Sequence, residues 1–248
     1  GNAIPTLSAD GDVVVNSGAG IAGGGVRALG DAALSAGTAI GLAAVEGQNV
    51  TLTGTTGIDV EAANILGAAS LNSSDGDIRI GSLLAAGPID ASADAIRIEG
   101  GGDLAFATLT TEAGDAYVRA NGDLSIANGN VAGTADFGTQ AEGMSIGTLD
   151  AANAILANSG GFLNLDSVTV AGSLDASALA SLGITGVVTG QSIALASANI
   201  AIGSAGRVGT AGVTQQLSVA NNNSDNQTFV GGASGTSVAG YHIATDEL

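Results

Sequence analysis

Short apolar segments recur along this chain, and in each of them two apolar residues flank a small or polar one. Glycine, asparagine and aspartate separate the segments, as in "GDLSIANGNVAGTADF" at residues 122–137. Because side chains alternate between the two faces of a β-strand, such a triplet sends two residues inward and one outward. An amphipathic helix would instead show apolar residues every three to four positions. The pattern therefore predicts very short strands with tight corners between them.

Three interleaved series of apolar positions share a period close to 19 residues. The first series runs through Leu104, Leu124, Met144, Leu163, Leu182 and Ile200, and extends to Leu217. The second runs through Val60, Ile78, Ile96, Val118, Phe137, Ile155, Leu174, Ile193 and Val213. The third runs through Val131, Leu149, Val168, Val187, Val208 and Phe229. A fixed period of this length is typical of repeat proteins, in which each unit buries its apolar residues against its neighbours.

The period predicts an all-β fold, a single right-handed parallel β-helix with three short strands in each coil of about 19 residues. At this period the 248 residues predict about thirteen coils and a rod of roughly 60 Å. We expect the β-helix to cover residues 1–248, with residues 1–50 less regular and residues 221–248 forming a carboxyl-terminal cap or edge segment. Residues 174–182, which also fit one helical turn, are expected to continue the coil.

The composition changes this picture in one respect, because it predicts a thin core. Glycine accounts for 41 residues, aromatic residues make up 2% of the chain, and tryptophan is absent. Conventional globular cores reach their packing density with large side chains. The spacing of the apolar residues argues against disorder, which is the other structure that a glycine-rich acidic chain suggests. We therefore expect a narrow column filled by small and medium-sized residues.

The charge is strongly acidic and limits the classes of partner. Asp and Glu number 23 against five Arg, with no Lys, and the net charge is −18. Proteins that bind nucleic acids or anionic membranes need cations to neutralise phosphate, so neither partner is expected. Cysteine is absent, which excludes disulfides, thiolate nucleophiles and Cys-ligated zinc. No apolar run approaches the length of about 20 residues that a membrane helix needs, and we expect no membrane insertion.

The repeat style resembles the filamentous haemagglutinin type of secreted bacterial adhesin. The similarity covers most of the chain and lies in the segments "GDVVV", "GQNVTL", "GDIRI", "GDLAF", "GDLSI" and "GQSIAL". The resemblance implies a very large exoprotein that acts in adhesion or biofilm formation at the cell surface or outside the cell. The Asn-Pro-Asn-Gly type signature of the amino-terminal secretion domain of those proteins does not occur here. We therefore expect this chain to be an interior or shaft segment of such a protein.

The candidate surface feature is a ladder of charged residues. The second series places Arg79, Arg97 and Arg119 at the outward position of three successive coils, with Glu61 one coil earlier. Like charges on neighbouring strands repel one another, and Glu61 and Glu99 offset this. The favoured interpretation is a charged ladder that keeps one face solvated, since exposed pairs contribute little. The alternative interpretation is a basic stripe that contacts an acidic glycan or a protein partner.

No metal site or cofactor is expected. His242 has no second His or Cys to complete a site. The segment "GGGDLAF" at residues 100–106 is a single incomplete copy of the calcium-binding repeat, so weak calcium binding between coils stays open. We expect corner aspartates such as Asp77, Asp103 and Asp123 to accept hydrogen bonds from nearby backbone amides in their turns.

Two other functions of β-helices are weighed against the structural one. Polysaccharide hydrolases and lyases use paired carboxylates with further groups that orient the substrate and move protons, and a chain without Lys and with a single His offers few of these. We therefore expect no catalysis, and a polysaccharide-binding or polysaccharide-degrading protein is the alternative. Ice binding requires a threonine array in register. The threonines of "TLTGTT" (51–56) and "TLTT" (108–111) are interpreted as local clusters without a ladder through the other coils.

The sequence thus predicts a rigid, acidic β-helical rod from a secreted or surface-exposed bacterial adhesin or filament. Small outward residues (Ala, Ser, Gly and Thr) predict flat walls that suit lateral packing. An unpaired coil end exposes a strand edge that recruits other chains. The expected partners are therefore other copies of the chain, or a host or cell-surface glycan or protein.

Overall fold

The computed structural model describes residues 2–140, 143–221, 227–230 and 240–243, and the side chains of residues 5–140 and 143–221. The described residues form strands and turns without a helix. The first strands are β1 (Asn2–Ile4), β2 (Leu7–Ala9), β3 (Val13–Ser17), β4 (Ile21–Ala28), β5 (Ala32–Ala36), β6 (Ala39–Gly47), β7 (Val50–Gly54), β8 (Gly57–Ile65) and β9 (Ala69–Ser73). They are followed by β10 (Ile78–Ala85), β11 (Ile89–Ala93), β12 (Ile96–Gly100), β13 (Leu104–Thr111), β14 (Ala116–Ala120), β15 (Leu124–Thr139), β16 (Met144–Asn158), β17 (Phe162–Val170) and β18 (Ser173–Ala178). The last are β19 (Ser181–Ile184), β20 (Val187–Thr189), β21 (Ser192–Ser197), β22 (Asn199–Ile202), β23 (Arg207–Val208), β24 (Gln216–Asn221), β25 (Gln227–Val230) and β26 (Gly240–Ile243).

The strands wind into a parallel β-solenoid with coils about 19 residues apart. Each coil contributes to three parallel sheets, which we call faces A, B and C. Face A contains β5, β7, β9 and β11; face B contains β12, β14, β18 and β21; and face C contains β19 and β22. Longer strands bend from one face to the next, so that residues 57–60 of β8 lie on face B and residues 62–65 on face C. The all-β parallel solenoid predicted from the period is confirmed.

The solenoid has about eleven turns, fewer than the thirteen predicted. Its main sheet ends at β24, while β25 and β26 pair with each other in a separate parallel sheet. The count of turns applies to the described residues, whereas the prediction divided the whole length by the period. Most of the predicted cap, residues 221–248, lies outside the described residues. Within residues 1–50, β3 pairs with β5 and β5 with β7 in continuous register.

The core is one thin column of inward side chains that runs through all the coils of the main stack. On face B, Val60, Ile80, Ile98, Val118 and Phe137 stack directly on one another, and all are at most 2% exposed. Burying a side chain of this size contributes about 1.5–3 kcal/mol. Each coil therefore gains little alone, and the stack gains its stability from repetition.

The first apolar series has the observed register, because Leu104, Leu124, Met144, Leu163, Leu182 and Ile200 pair in succession on face C. The other two series are correct in period but wrong at single positions. Val60 pairs with Ile80 and not with Ile78. Ile155 and Val187 point outward while the residues that follow them, Leu156 and Val188, are buried. Adjacent apolar residues leave the inward one undecided, because a shift of one residue reverses the face.

Other positions of the three series also depart from the prediction. Leu217 pairs with Ile193 on face B and so does not continue the first series. Val131 pairs with Ala151, whereas Leu149 pairs with Gly129. Val213 is exposed. The predicted coil conformation of residues 174–182 is confirmed, since β18 is a strand.

Corner carboxylates and amides connect successive coils. The Oδ1 atom of Asp12 accepts the backbone N–H of Asp31 at 2.9 Å, and Oδ1 of Asp31 accepts both the N–H and the Nδ2 group of Asn49. Oδ1 of Asp103 accepts the N–H of Asp123 in the same way. Donor and acceptor are 18 to 20 residues apart. The expected acceptance of backbone amides is therefore found for Asp103, but the amides belong to the next coil and not to the same turn.

Face A carries two columns of small polar side chains on its outer surface. The threonines of residues 51–53 and of residues 108–110 lie in the same two columns, joined through β9 and β11. One column contains Thr51, Ser70, Asp90, Thr108, Asn128, Thr148 and Ser167, and the other contains Thr53, Asn72, Ser92, Thr110, Asn130, Asp150, Thr169 and Thr189. The two threonine clusters share these columns, but Ser, Asn and Asp occupy the positions between them, so the columns are not the threonine array that ice binding requires.

Candidate functional site

A line of three depressions, which we call the groove, crosses face B over six coils, from the corner between faces A and B to the corner between faces B and C. Three neighbouring depressions of about 240, 370 and 300 Å³ form it, and adjacent depressions share lining residues. It extends from Ala39 to Gln140, and five steps of about 4.8 Å between coils give a length of about 24 Å. Gly81 lies between Glu61 and Glu99 in the stack. A Cβ atom at Gly81 would approach the backbone oxygen of Glu61 to 2.9 Å, so the backbones of the two coils lie close together at the centre of the groove.

Arg79 and Arg97 lie directly opposite each other on adjacent strands. Their guanidinium groups bind carboxylates two residues away in the chain, Arg79 to Asp77 just before β10 at 2.9 Å and Arg97 to Glu99 within β12 at 2.6 Å. One arginine thus pairs toward the beginning of its strand and the other toward the end. This arrangement separates two like charges that would otherwise repel at strand spacing. Both side chains are more than half exposed and face the groove.

Arg119 is held more firmly than the other two arginines of the groove. Its Nη2 atom binds Oδ1 of Asp136 at 2.6 Å, and its Nη1 atom donates to the backbone oxygens of Asp136 and Val118. Its side chain is only 30% exposed. The ring of Tyr117 lies 4.1 Å from the Cζ atoms of both Arg97 and Arg119, within the range of a cation–π contact. Arg119 therefore connects two coils and fixes the position of the tyrosine ring.

The predicted charged ladder of Glu61, Arg79, Arg97 and Arg119 is only partly brought together. Arg79 and Arg97 pair in register as expected. Asp59, and not Glu61, lies opposite Arg79. Tyr117 lies opposite Arg97, while Arg119 lies opposite Glu99 in the neighbouring outward column. Three further residues of the site, Asp59, Tyr117 and Asp136, were not predicted, although the φ-x-φ alternation of their strands marks each of them as outward.

The groove has a low net charge for so acidic a chain. Its lining includes the carboxylates of Asp59, Glu61, Asp77 and Glu99 and the guanidinium groups of Arg79, Arg97 and Arg119, which give a formal charge of −1 against −18 for the whole chain. Among the described side chains, Asp59 and Glu61 have no ion pair. The groove thus offers free carboxylate oxygens at one end and guanidinium donors in its centre.

Within residues 5–140 and 143–221, no three His, Asp or Glu side chains are close enough together to hold a metal ion. The absence of a cofactor and the weak binding of calcium both stay predictions. His242 belongs to β26, and its side chain lies outside the described residues. None of the described segments is a helix of the length and apolarity that crossing a membrane requires.

Comparison of the chain with protein-family models, with curated proteins and with solved structures returned no match. The resemblance to filamentous haemagglutinin-type adhesins therefore stays a hypothesis from the repeat style. The function is therefore inferred from the solenoid and from the chemistry of its surface.

Proposed function

We propose that this chain is a stiff shaft segment of a secreted or surface-exposed bacterial adhesin or filament, where it acts in adhesion, biofilm formation or self-assembly. The observation that carries the proposal is the parallel pairing of strands from coil to coil around one continuous apolar column. Bending such a rod would open inter-coil hydrogen bonds on one side, so the fold resists bending along its axis. A function in which the rod holds other modules at a distance follows from this stiffness.

The corner ladders support the same proposal. In a solenoid each coil contacts only its neighbours, and the weakest junction limits the stability of the array. Asp12, Asp31 and Asn49 add side-chain hydrogen bonds between successive coils at one corner. Asp103 and Asp123 do the same at another corner. These bonds strengthen the junctions between coils, as a shaft under tension requires.

The test is made in the source bacterium. Antibodies raised against the 248-residue chain should label intact cells or the culture medium, and removal of the encoding segment should reduce attachment of the cells to surfaces or to one another. Re-expression of the segment should restore attachment. Labelling that requires permeabilised cells, or attachment that is unchanged without the segment, would refute the proposal.

A further inference from the structure

The groove across face B has the dimensions of an extended ligand. Its length is about 24 Å over six coils, and the individual depressions of about 240 to 370 Å³ are open to solvent along one side. A compact small molecule would fill one depression and leave the others empty. A chain of several similar units, each the size of one depression, would use the whole length.

The polar groups along the groove include both hydrogen-bond acceptors and donors. Asp59 and Glu61 present free carboxylate oxygens, and Arg79 and Arg97 present N–H groups beyond those used in their ion pairs. Ser82 lies in both the central depression and its neighbour. Hydroxyl groups of a ligand both donate and accept, so a polyhydroxylated chain satisfies each of these side chains. Hydrogen bonds to charged groups are also the strong ones in proteins.

Charge decides between neutral and acidic chains. The groove has a formal charge of −1 and lies on a protein of net charge −18. Three of the five arginines line it, but each already binds a carboxylate of this chain. A polyanion would have to displace these carboxylates and approach against the field of the whole protein. A neutral chain incurs neither penalty.

Arg97, one of the donors of the groove, is held by contacts within the chain. Its guanidinium group binds Glu99 at 2.6 Å and lies 4.1 Å from the ring of Tyr117. Arg119 contacts the same ring and limits its movement. Ordering a free arginine side chain on binding costs rotamer entropy. Part of that ordering is already present in Arg97.

From the length, the free acceptors and donors, the near-neutral charge and the ordered arginine, we propose that this groove binds an extended neutral polysaccharide chain, with Asp59, Glu61, Arg79 and Arg97 as the contact residues. This inference goes beyond the shaft function and does not depend on it. A rod that carries such a groove adheres along its side and not only through modules at its tip.

The first experiment identifies the class of ligand. The fluorescently labelled 248-residue chain is applied to a microarray of neutral and uronic-acid polysaccharides. The polymers that bind are then incorporated into native gels, where retardation is measured against a polymer-free gel. We expect retardation by at least one neutral polysaccharide. Binding to no neutral polysaccharide, or to uronic-acid polymers alone, would overturn the proposal.

The second experiment places the binding in the groove. Arg97→Gln and Asp59→Asn should each weaken retardation about tenfold, as expected when one hydrogen bond to a charged group is lost. Arg27→Gln is the matched control, because Arg27 forms a comparable exposed ion pair with Glu46 at 3.0 Å on face C, outside the groove lining. Glu61→Gln, a change at an exposed residue, provides a second test if another variant lowers the melting temperature. Equal binding by the groove variants and the control would show that the groove is not the site.

Discussion

Replacement of Gly122 by alanine tests how the coils fit together at their corners. A Cβ atom at Gly122 would overlap Oδ1 of Asp103 and approach the backbone nitrogen of Asp103 to 3.0 Å. That same Oδ1 atom accepts the N–H of Asp123 at 2.9 Å. The carboxylate at the corner of one coil thus fills the space that a side chain at the glycine of the next coil would need. Gly30 has the same relation to Asp12.

The size of the effect follows from two contributions. Displacing the Asp103 carboxylate loses a hydrogen bond between coils worth about 1 to 1.5 kcal/mol, and crowding against the backbone adds about 1 kcal/mol or more. We therefore expect Gly122→Ala to lower the free energy of unfolding by about 2 to 3 kcal/mol. Gly11→Ala is the control, because Gly11 also precedes an aspartate and an added Cβ there has no neighbour within 4 Å. Its expected effect is between neutral and a stabilisation of about 1 kcal/mol.

Urea unfolding followed by circular dichroism measures both variants, with a check that the m-value is unchanged, because solenoids can lose two-state behaviour. The decisive measurement is a double-mutant cycle with Asp103→Ala. Since the same hydrogen bond can be lost only once, the double variant should be more stable than the sum of the two single effects predicts by about 1 kcal/mol or more. Additive effects, or a Gly122→Ala variant as stable as Gly11→Ala, would refute this account of the corners.

Two further predictions concern the charged residues. Arg119→Gln should lower the free energy of unfolding by about 1 to 2 kcal/mol, because the partly buried guanidinium group binds Asp136 and two backbone oxygens. Arg27→Gln should change the free energy of unfolding by less than about 0.5 kcal/mol. Equal melting temperatures of the two variants would contradict this expectation. Asp31→Asn should retain most of the stability that Asp31→Ala loses, because Asn49 already performs the same role one coil later. Thermal unfolding measures both variants, and equal decreases in melting temperature would show that the ladder is unimportant.

The period near 19 was sufficient to predict the solenoid because burial repeats once per coil in every face. The first series was correct except at its last position because Leu104, Leu124 and Met144 each begin an isolated apolar triplet. Ile155 precedes Leu156 and Val187 precedes Val188, so the sequence offered two candidates for one inward position. Which of the two is buried depends on the geometry of the preceding corner, and composition carries no signal for it.

The corner carboxylates show a second limit of local sequence reasoning. "Gly-Asp" pairs are typical of turns, and this explains why the aspartates were expected to bind their own turns. The observed partner of Asp103 is 20 residues away, and that separation acquires meaning only when the coil length is known. Once the register is known, the recurrence of "Gly-Asp" has a steric reason, since Gly30 and Gly122 each lie over an aspartate of the previous coil.

The surface of a solenoid depends on coil length even more strictly than its core does. The successive outward partners Asp59, Arg79, Arg97, Tyr117 and Asp136 are separated by 20, 18, 20 and 19 residues. An average of 19 is accurate enough for the fold, but an error of one residue reverses the face and an error of two moves a side chain to the adjacent outward column. This is why Arg119, at 22 residues from Arg97, lies beside the predicted ladder and opposite Glu99. Small differences in coil length therefore decide which charges meet in the groove, and a one-residue insertion at a corner would change its chemistry while the core period remained recognisable.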